Sequence, residues 1–509
     1  MRKSSIFHNL KFDGTFIVSW LLEHDEIPEM MVSNSQWFRI LYQGVEYRDS
    51  LKKFKMTVYG LGQFLGIPTK LDVSDSTGKK PWDYLIGRCY VPARLSVEYC
   101  VHDSEIVAEG ISREWDEGRK RLTASSEAYH SAREFIGAME FKKLFPALTE
   151  ETDRFFRDAY RGGVCAVNPR YQGKDLENIY GYDVNGLYGW AMDANVLPYG
   201  LPYEGPPRSA NDLYVVKFRC EFKVKKGYFP FLQLKHNPRY IGRETEYLKE
   251  SDGETELTLT CIDYELFREH YHVYNDWDYR YMSVKAKPGI LSPIIAHNLE
   301  QKDYWSMTEH YDSYRRTVAK DNTNMLYGSF GLSLDVDNVT PTLKGGVLSF
   351  EHDKGTRKGR YIPMAVFITA YARRKTVQAI QANYENWIYS DTDSMYLLAP
   401  AVGIEIHESH SGYWKYETWD GTPFKHGKFL RQKMYCLADE NYRVYSKYDK
   451  YGNYVSEMKC AGMPNEVKKQ LSWDEFQLGI TLTKKQHTVV KGGVVLKDHP
   501  YTIEEGQEQ

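Results

Sequence analysis

The stretch WIYSDTDSMYL, residues 387–397, sets the strongest constraint on the fold. Its apolar and aromatic flanks read as the two arms of a buried hairpin, and Asp391 and Asp393 fall at the tip. Burying one carboxylate is costly, and a second beside it raises the pKa of both. Asp-Thr-Asp is also good turn chemistry, because Asp side chains bond nearby backbone N–H groups. Taken alone the pair is a turn, so a catalytic reading needs partners elsewhere in the chain.

Two other segments supply partners. In YGYDVNGLYGW (180–190) a short apolar strand runs into Asp183, with Tyr188 five residues on. Asp183 is either a helix N-cap or a metal ligand at a strand end. In DSYRRTVAKDNTNMLYGSFG (312–331), Arg316, Lys320, Asn324 and Tyr327 recur at i, i+4, i+8 and i+11, one face of a helix. A solvated polar stripe has the same pattern. Two cations, an amide and a ring also suit a nucleoside triphosphate. Three acids from two strands could hold two Mg²⁺ ions about 3.5–4 Å apart, one activating an attacking hydroxyl and the other steadying pyrophosphate. Mg²⁺ takes oxygen ligands, so Asp fits and His or Cys does not. The reaction so described is nucleotidyl transfer.

Rival motifs are weaker. GTPFKHGKF (421–429) has five residues between its first Gly and the Gly-Lys, and Phe where a phosphate loop needs Ser or Thr. HESH (407–410) offers only two His, a weak metal signal.

Composition adds bounds. The 509 residues allow about three or four domains at ~150 residues each. Charge is balanced, with 66 Lys+Arg against 69 Asp+Glu, so a nucleic-acid surface has to be local. Basic clusters at 119–121, 373–375, 428–433, 468–469 and 484–485 fit such a path or a solvated surface. The 41 tyrosines and 11 tryptophans serve core packing or base stacking. Seven cysteines, at 89, 100, 165, 220, 261, 436 and 460, include no CxxC. That argues for reduced thiols in a cytosolic compartment and against a zinc ribbon. No 18-residue apolar run suggests a membrane span, and the polar start MRKSSIFHNLKFDG is no signal peptide.

No internal repeat or long low-complexity tract is present. Helical periodicity appears at 131–147, 296–330 and 462–472; strand alternation appears at 179–184, 213–224, 386–398 and 429–436. Mixed without a βαβ repeat, these predict an α+β fold. Residues 330–362, broken by Gly345-Gly346, predict an inserted β-hairpin.

The ordered set DVNGLYG (183–189), KDNTNMLYGSFG (320–331), YSDTDS (389–394) and LRQKMY (430–435) resembles the protein-primed branch of the family B DNA polymerases, found in small tailed phages and linear plasmids. AYRGGV (159–164) looks like that branch's Tyr-x-Gly-Gly element, with Tyr160, Gly162 and Gly163, and ITAYAR (368–373) also matches. The resemblance runs from about residue 7 to the C-terminus. It implies Asp183 and Asp393 as main metal ligands with the Val184 carbonyl, and Asp391 as the supporting acid. Two Mg²⁺ ions are implied, with Mn²⁺ able to substitute. Lys320 and Arg316 would contact the triphosphate, and Tyr188 would exclude a 2′-OH. Asn324, Tyr327 and Gly328 would line the nascent base pair. Lys433 and Tyr435 would hold the primer terminus, with Arg431 and Arg373 on the DNA backbone. Gly186 and Gly189 depart from the usual Ser and Pro beside the first acid.

The implied organisation is a right-hand polymerase, with palm, fingers and thumb, behind an N-terminally truncated RNase H-like exonuclease domain. Its parts would be a partial 3′–5′ exonuclease domain (1–123), palm (124–194 and 362–460), a first terminal-protein-type insertion (195–295), fingers (296–331), a second insertion (332–361) and thumb (461–509). Partners would be template-primer DNA, deoxynucleotides and a terminal protein. The chain would act as a monomer in the host cytoplasm, with strand displacement.

FHNLKFDG (7–14) resembles the second exonuclease motif, with His8, Asn9, Phe12 and Asp13. DSLKKF (49–54) and KLD (70–72) supply Ser50, Leu51, Lys70 and Asp72, and YCVHD (99–103) supplies Tyr99 and Asp103. The family's first motif, Asp-x-Glu, has no counterpart, since no acid precedes Asn9. Proofreading also needs carboxylates around two metals, so this chain is expected to have little 3′–5′ exonuclease activity, and a truncated reading frame would explain the gap. Two other functions fit less well. A ribonucleotide-using or RNA-copying polymerase conflicts with Tyr188 and with Thr392 between the acids. A non-catalytic scaffold binding DNA and terminal protein conflicts with the intact Asp183, Asp391, Asp393 and Lys320.

Overall fold

The acid-bearing segments meet in one eight-stranded antiparallel sheet. In the computed structural model of the chain, the described residues are 3–33, 35–67, 94–233, 247–448, 454–491 and 493–503. The strand order is Met458–Cys460, Met434–Ala438, Phe424–Arg431, Asp175–Val184, Ser394–Leu397, Trp387–Asp391, Cys165–Val167. Trp414–Glu417 joins the edge of Asp175–Val184 beyond the end of Phe424–Arg431, so two partners share one side of that strand. The central arms form strands as expected, but the expected alternation is corrected: Trp387, Ile388, Tyr389 and Ser390, and Met395, Tyr396 and Leu397, are buried in unbroken runs, because both faces of the sheet are covered.

Helix Ile362–Ala382 packs behind this sheet. Every residue from Ile362 to Arg373 is buried, as expected of a helix apolar on all sides. Pro363 sits in its first turn, where a missing N–H costs nothing. Beyond the helix lies a second sheet in which Leu213–Val224 runs between Thr255–Thr260 and Tyr271–Val284.

The N-terminal unit has its own four-stranded sheet. Lys3–Phe7 runs parallel to Val45–Asp49, followed by Gln36–Tyr42 and Glu29–Ser33, with helix Leu10–Glu23 against Trp37 and Ile40. Hairpin Asp335–Lys344/Val347–Thr356 turns at Gly345-Gly346, both with positive φ. It lies against the N-terminal sheet, with the Phe350 and Trp37 rings edge-to-face at 5.7 Å. A second long hairpin, Thr481–Val490/Gly493–Thr502, touches both: Phe12 meets His487 at 4.8 Å, and Gly346 lies under the Lys491 stem.

Four expected elements are corrected. Residues 131–147 form two helices, Ala124–Ile136 and Ala138–Leu144, divided at Gly137 (φ 91°). Residues 296–330 form Ser292–Tyr304, Ser313–Asn324 and Leu326–Phe330. The helix expected at 462–472 contracts to Asn465–Lys468, its apolar residues buried instead with Trp473, Phe476 and Ile503. The single strand expected at 429–436 is a hairpin, because Lys433 turns the chain at φ 57°. No helix of the described residues is long and apolar enough to cross a membrane.

Candidate active site

Strand register brings the three acids to one face. Asp183 pairs across the sheet with Ser394, which pairs on its other side with Asp391. The Asp393 carbonyl accepts the Val184 N–H at 2.8 Å, bringing both main acids to one end of the sheet. The tip is closed by backbone bonds together with the Asp391 carboxylate, which accepts the Thr392 hydroxyl at 3.1 Å. Asp393 N donates to the Asp391 carbonyl at 2.7 Å, and Thr392 N to the Val164 carbonyl at 2.6 Å.

Burial pushes the Asp183 carboxyl up to about 7, with Asp393 and Glu417 adding repulsion and Lys415 offsetting part of it. Asp393 is also raised, mainly by burial and further by Asp391; its own backbone hydrogen bond and Lys433 act the other way. Asp391 is held differently. Lys433 Nζ donates to both of its carboxylate oxygens, at 2.9 and 2.8 Å. The oxygen donors at Asp183, Asp393 and Val184 suit a hard divalent cation. Among the described residues no three His, Cys, Asp or Glu side chains already form a metal-holding group.

The Tyr-x-Gly-Gly element lies directly under the acid turn. A Cβ on Gly163 would come within 2.8 Å of Thr392 Cγ2 and 2.9 Å of Thr392 Cα, whereas Gly162 has open space around it. Tyr160 packs against the end of helix Leu326–Phe330, with its hydroxyl 2.6 Å from where a Cβ on Gly331 would stand. Arg373 is corrected from the DNA-backbone role the resemblance implied. It is 3 % exposed, paired with Asp263 at 2.6 Å, and donates to the Arg161 and Gly162 carbonyls at 2.7 Å. It props the glycine turn against the acids and reaches no solvent-facing surface.

The nucleotide-side residues converge in part. The Tyr188 and Tyr327 rings stack with centroids 3.8 Å apart and planes 16° apart. Arg316 and Lys320 ride on Ser313–Asn324, with Arg316 Nε bonded to Ser306 Oγ at 3.0 Å and Lys320 exposed. The predicted continuous face is broken at Met325, so Asn324 lies before the interruption and Tyr327 and Gly328 after it. Tyr435 is buried with its hydroxyl 3.1 Å from that of Tyr396. Arg431 Nε points at the Met434 sulfur, 3.0 Å away.

A cleft of about 630 Å³ contains Asp183, Asp391, Asp393, Tyr188, Tyr327 and Tyr435. It also contains Glu417, Glu457 and Lys459, which sequence reasoning missed. The alternation in WKYE (414–417) was the available signal for Glu417: its polar positions, Lys415 and Glu417, share the face of Asp183.

The exonuclease-like residues gather around a different framework. His8 bonds Ser50 Oγ at 2.8 Å and the Met56 carbonyl at 2.7 Å. Asn9 caps helix Leu10–Glu23 in a left-handed conformation. Asp49 Oδ1 accepts the Asn9 and Leu51 N–H groups, each at 3.0 Å. Asp13 is raised by burial, with its own backbone bond opposing and Asp49 adding repulsion. Phe12 stands beside His487. Tyr99 and Asp103 lie one turn apart on helix Arg94–Asp116. Lys70 and Asp72 lie outside the described residues.

Comparison with known proteins is specific. Residues 95–397 match the family "DNA polymerase type B, organellar and viral". The chain is 35 % identical to a DNA polymerase of Bacillus phage B103 and 34 % to that of Bacillus phage phi29, over 98 % of this chain and 90 % of each relative. The polymerase of Streptococcus phage Cp-1 is 28 % identical, over 98 % of this chain and 87 % of its own. Phi29 DNA polymerase complexed with primer-template DNA and incoming nucleotide matches with a TM-score of 0.85 and 32 % identity, over 99 % of this chain and 91 % of that one.

Proposed function

Because the chain belongs to the organellar and viral type B DNA polymerases, and is a DNA-directed DNA polymerase with an α+β polymerase fold, we propose that it extends a primer by metal-dependent transfer of deoxynucleotides at Asp183 and Asp393. The observation that carries this reading is the strand pairing that brings these two half-buried carboxyls to adjoining strand ends in one cleft. Family members use divalent cations in general, and the all-oxygen donor set here favours Mg²⁺, with Mn²⁺ as substitute. When bound, such cations supply charge for an attacking hydroxyl and a leaving pyrophosphate.

The chain's own residues do the rest. Asp183, Asp393 and the Val184 carbonyl would hold the cation. Asp391 supports them once Lys433 turns to the primer strand, with Tyr435 fixing the base of that lysine's hairpin. Arg316 and Lys320 draw in the triphosphate. Tyr188, braced flat on Tyr327, leaves no room for a 2′-OH, and Asn324 and Gly328 border the new base pair. Template-primer DNA runs past Tyr160, Gly162 and Arg431.

Primer extension with Mg²⁺ and deoxynucleotides tests this reading. Asp393→Ala is expected to lower incorporation by roughly 10³-fold or more, the loss of several kcal/mol of transition-state charge stabilisation. Incorporation equal to wild type would overturn it.

Protein priming belongs to the same proposal. A terminal-protein hydroxyl would take the place of the primer 3′-OH, received by the region 195–295. The 332–361 hairpin, wedged between the N-terminal sheet and the C-terminal hairpin, would close around template and separate strands. Deleting 335–358 is expected to shorten products on a primed circle; unchanged length refutes that role. The protein would act as a monomer in the cytoplasm of the host cell.

A further inference from the structure

The helix that carries Arg316 and Lys320 is fastened along its other side to the N-terminal unit. At ~100° per residue, Tyr314, Val318 and Asp321 share a face, while Arg316 and Lys320 lie roughly 200° and 240° around from Tyr314. Tyr314 is 2 % exposed, packs edge-to-face on Phe64, and donates its hydroxyl to Glu114 Oε1 at 2.8 Å. Glu114 also accepts Lys53 Nζ at 2.7 Å and Arg119 Nε at 3.1 Å. Lys53 bonds Glu127 at 3.0 Å, and Arg119 reaches on to Asn322 Oδ1 at 3.2 Å. The same helix is tied at its start by Ser313 Oγ to the Phe64 carbonyl at 2.6 Å, and by Arg315 to Glu117 at 3.1 Å. Lys53 and Arg119 thus meet Glu114 and Glu127, with Asp321 of the helix beside them, in a largely buried cluster that holds the helix at Tyr314 and Asn322.

We infer that Glu114 is a positioning residue for nucleotide binding: with Lys53, Arg119 and Tyr314 it fixes the rotation of helix Ser313–Asn324, so that Arg316 and Lys320 stay on the face turned away from the N-terminal unit. The inference rests on the reading of those two cations as triphosphate contacts. It gives the N-terminal unit a task in synthesis that does not depend on exonuclease chemistry. Lys53 lies two residues after Leu51, so the turn Ser50–Lys52, capped by Asp49, joins the two sites. A buried charged cluster favours one arrangement, because a partner left alone in it is strongly penalised. Rotation of the helix by a small angle would move both cations together and weaken triphosphate binding, leaving the acids untouched.

Steady-state extension on a primed template, with DNA affinity and melting temperature measured beside it, tests this. Tyr314→Phe keeps the ring packing and removes one hydrogen bond; Glu114→Gln keeps the shape and removes the charge. Each is expected to raise the nucleotide KM about fivefold with kcat within about twofold and DNA affinity unchanged. Tyr314→Phe combined with Lys320→Ala should cost less than the product of the single effects, because both act on one contact. An unchanged nucleotide KM in both single variants overturns the inference. So does a parallel loss of kcat, KM, DNA affinity and melting temperature, which marks a general scaffold. If Lys320→Ala itself leaves the nucleotide KM unchanged, the triphosphate reading fails and the inference with it. A Lys320→Ala effect without one at Tyr314 or Glu114 defeats the inference alone.

Discussion

Two clusters of aspartates sit in this molecule, and they are employed in opposite ways. Around Asp183 and Asp393 the carboxyls are half-buried among other acids and both are raised, the Asp183 carboxyl to about 7. Around Asp13 the nearest acid, Asp49, is 3 % exposed and already serves as a cap, bonded to the Asn9 and Leu51 N–H groups and 3.5 Å from Lys52. In the first arrangement a cation would relieve the repulsion; in the second, Asp49 is satisfied by the protein itself and only Asp13 stays raised. Like residues therefore do not make like sites, and what counts is how much charge is left uncompensated.

The sharpest way to break the comparison is to remove one acid from each cluster. Where Asp393→Ala abolishes extension, Asp13→Ala is expected to leave it within about twofold, because no transition-state charge develops there. The unmodified chain should show no 3′–5′ degradation above background in Mg²⁺. Degradation that disappears in Asp13→Ala would show the second cluster to be catalytic as well.

A smaller effect tests the support beneath the first cluster. Gly163→Ala drives a methyl into Thr392 and is expected to cut extension about tenfold relative to wild type. Equal activities would mean that the acid turn does not lean on this glycine.

The smallest effect is in stability. A carboxyl with a higher pKa in the folded than in the unfolded chain holds its proton more tightly when folded. Between the ordinary 3.8 and about 7, Asp183 is protonated only in the folded protein, so its contribution to stability declines as pH rises through that interval and is flat above it. In chelator, the melting temperature of wild type should fall more steeply across the interval than that of Asp183→Asn. Added Mg²⁺ should recover the difference above pH 7, and identical slopes would contradict the account.

The polymerase cluster was legible in sequence because its acids interrupt two short apolar runs, which become the two arms of a hairpin with the acids at its tip. Its surroundings were less so. Lys433 turns a hairpin without glycine or proline, so LRQKMY looks like one strand until the left-handed residue is seen. The burial of Arg373 depends on Asp263, which is 110 residues away and carries no local signal. The same holds for Glu114 and Tyr314, 200 residues apart, each ordinary in its own helix. Local pattern announces which residues are costly to bury, while long-range pairing decides which are left unspent.

The split edge of the central strand bears on how the chain is made. Asp175–Val184 finds its partners in Ser394–Leu397, Trp414–Glu417 and Phe424–Arg431, the nearest of which begins about 210 residues after it ends. At ~5–20 residues per second, the ribosome needs on the order of 10–40 s to deliver them. Through that interval Asp183 sits on a strand with open edges, exposed to a one-residue slip that would put Tyr182 in its place. The active centre is thus among the last parts of the chain to be assembled during synthesis.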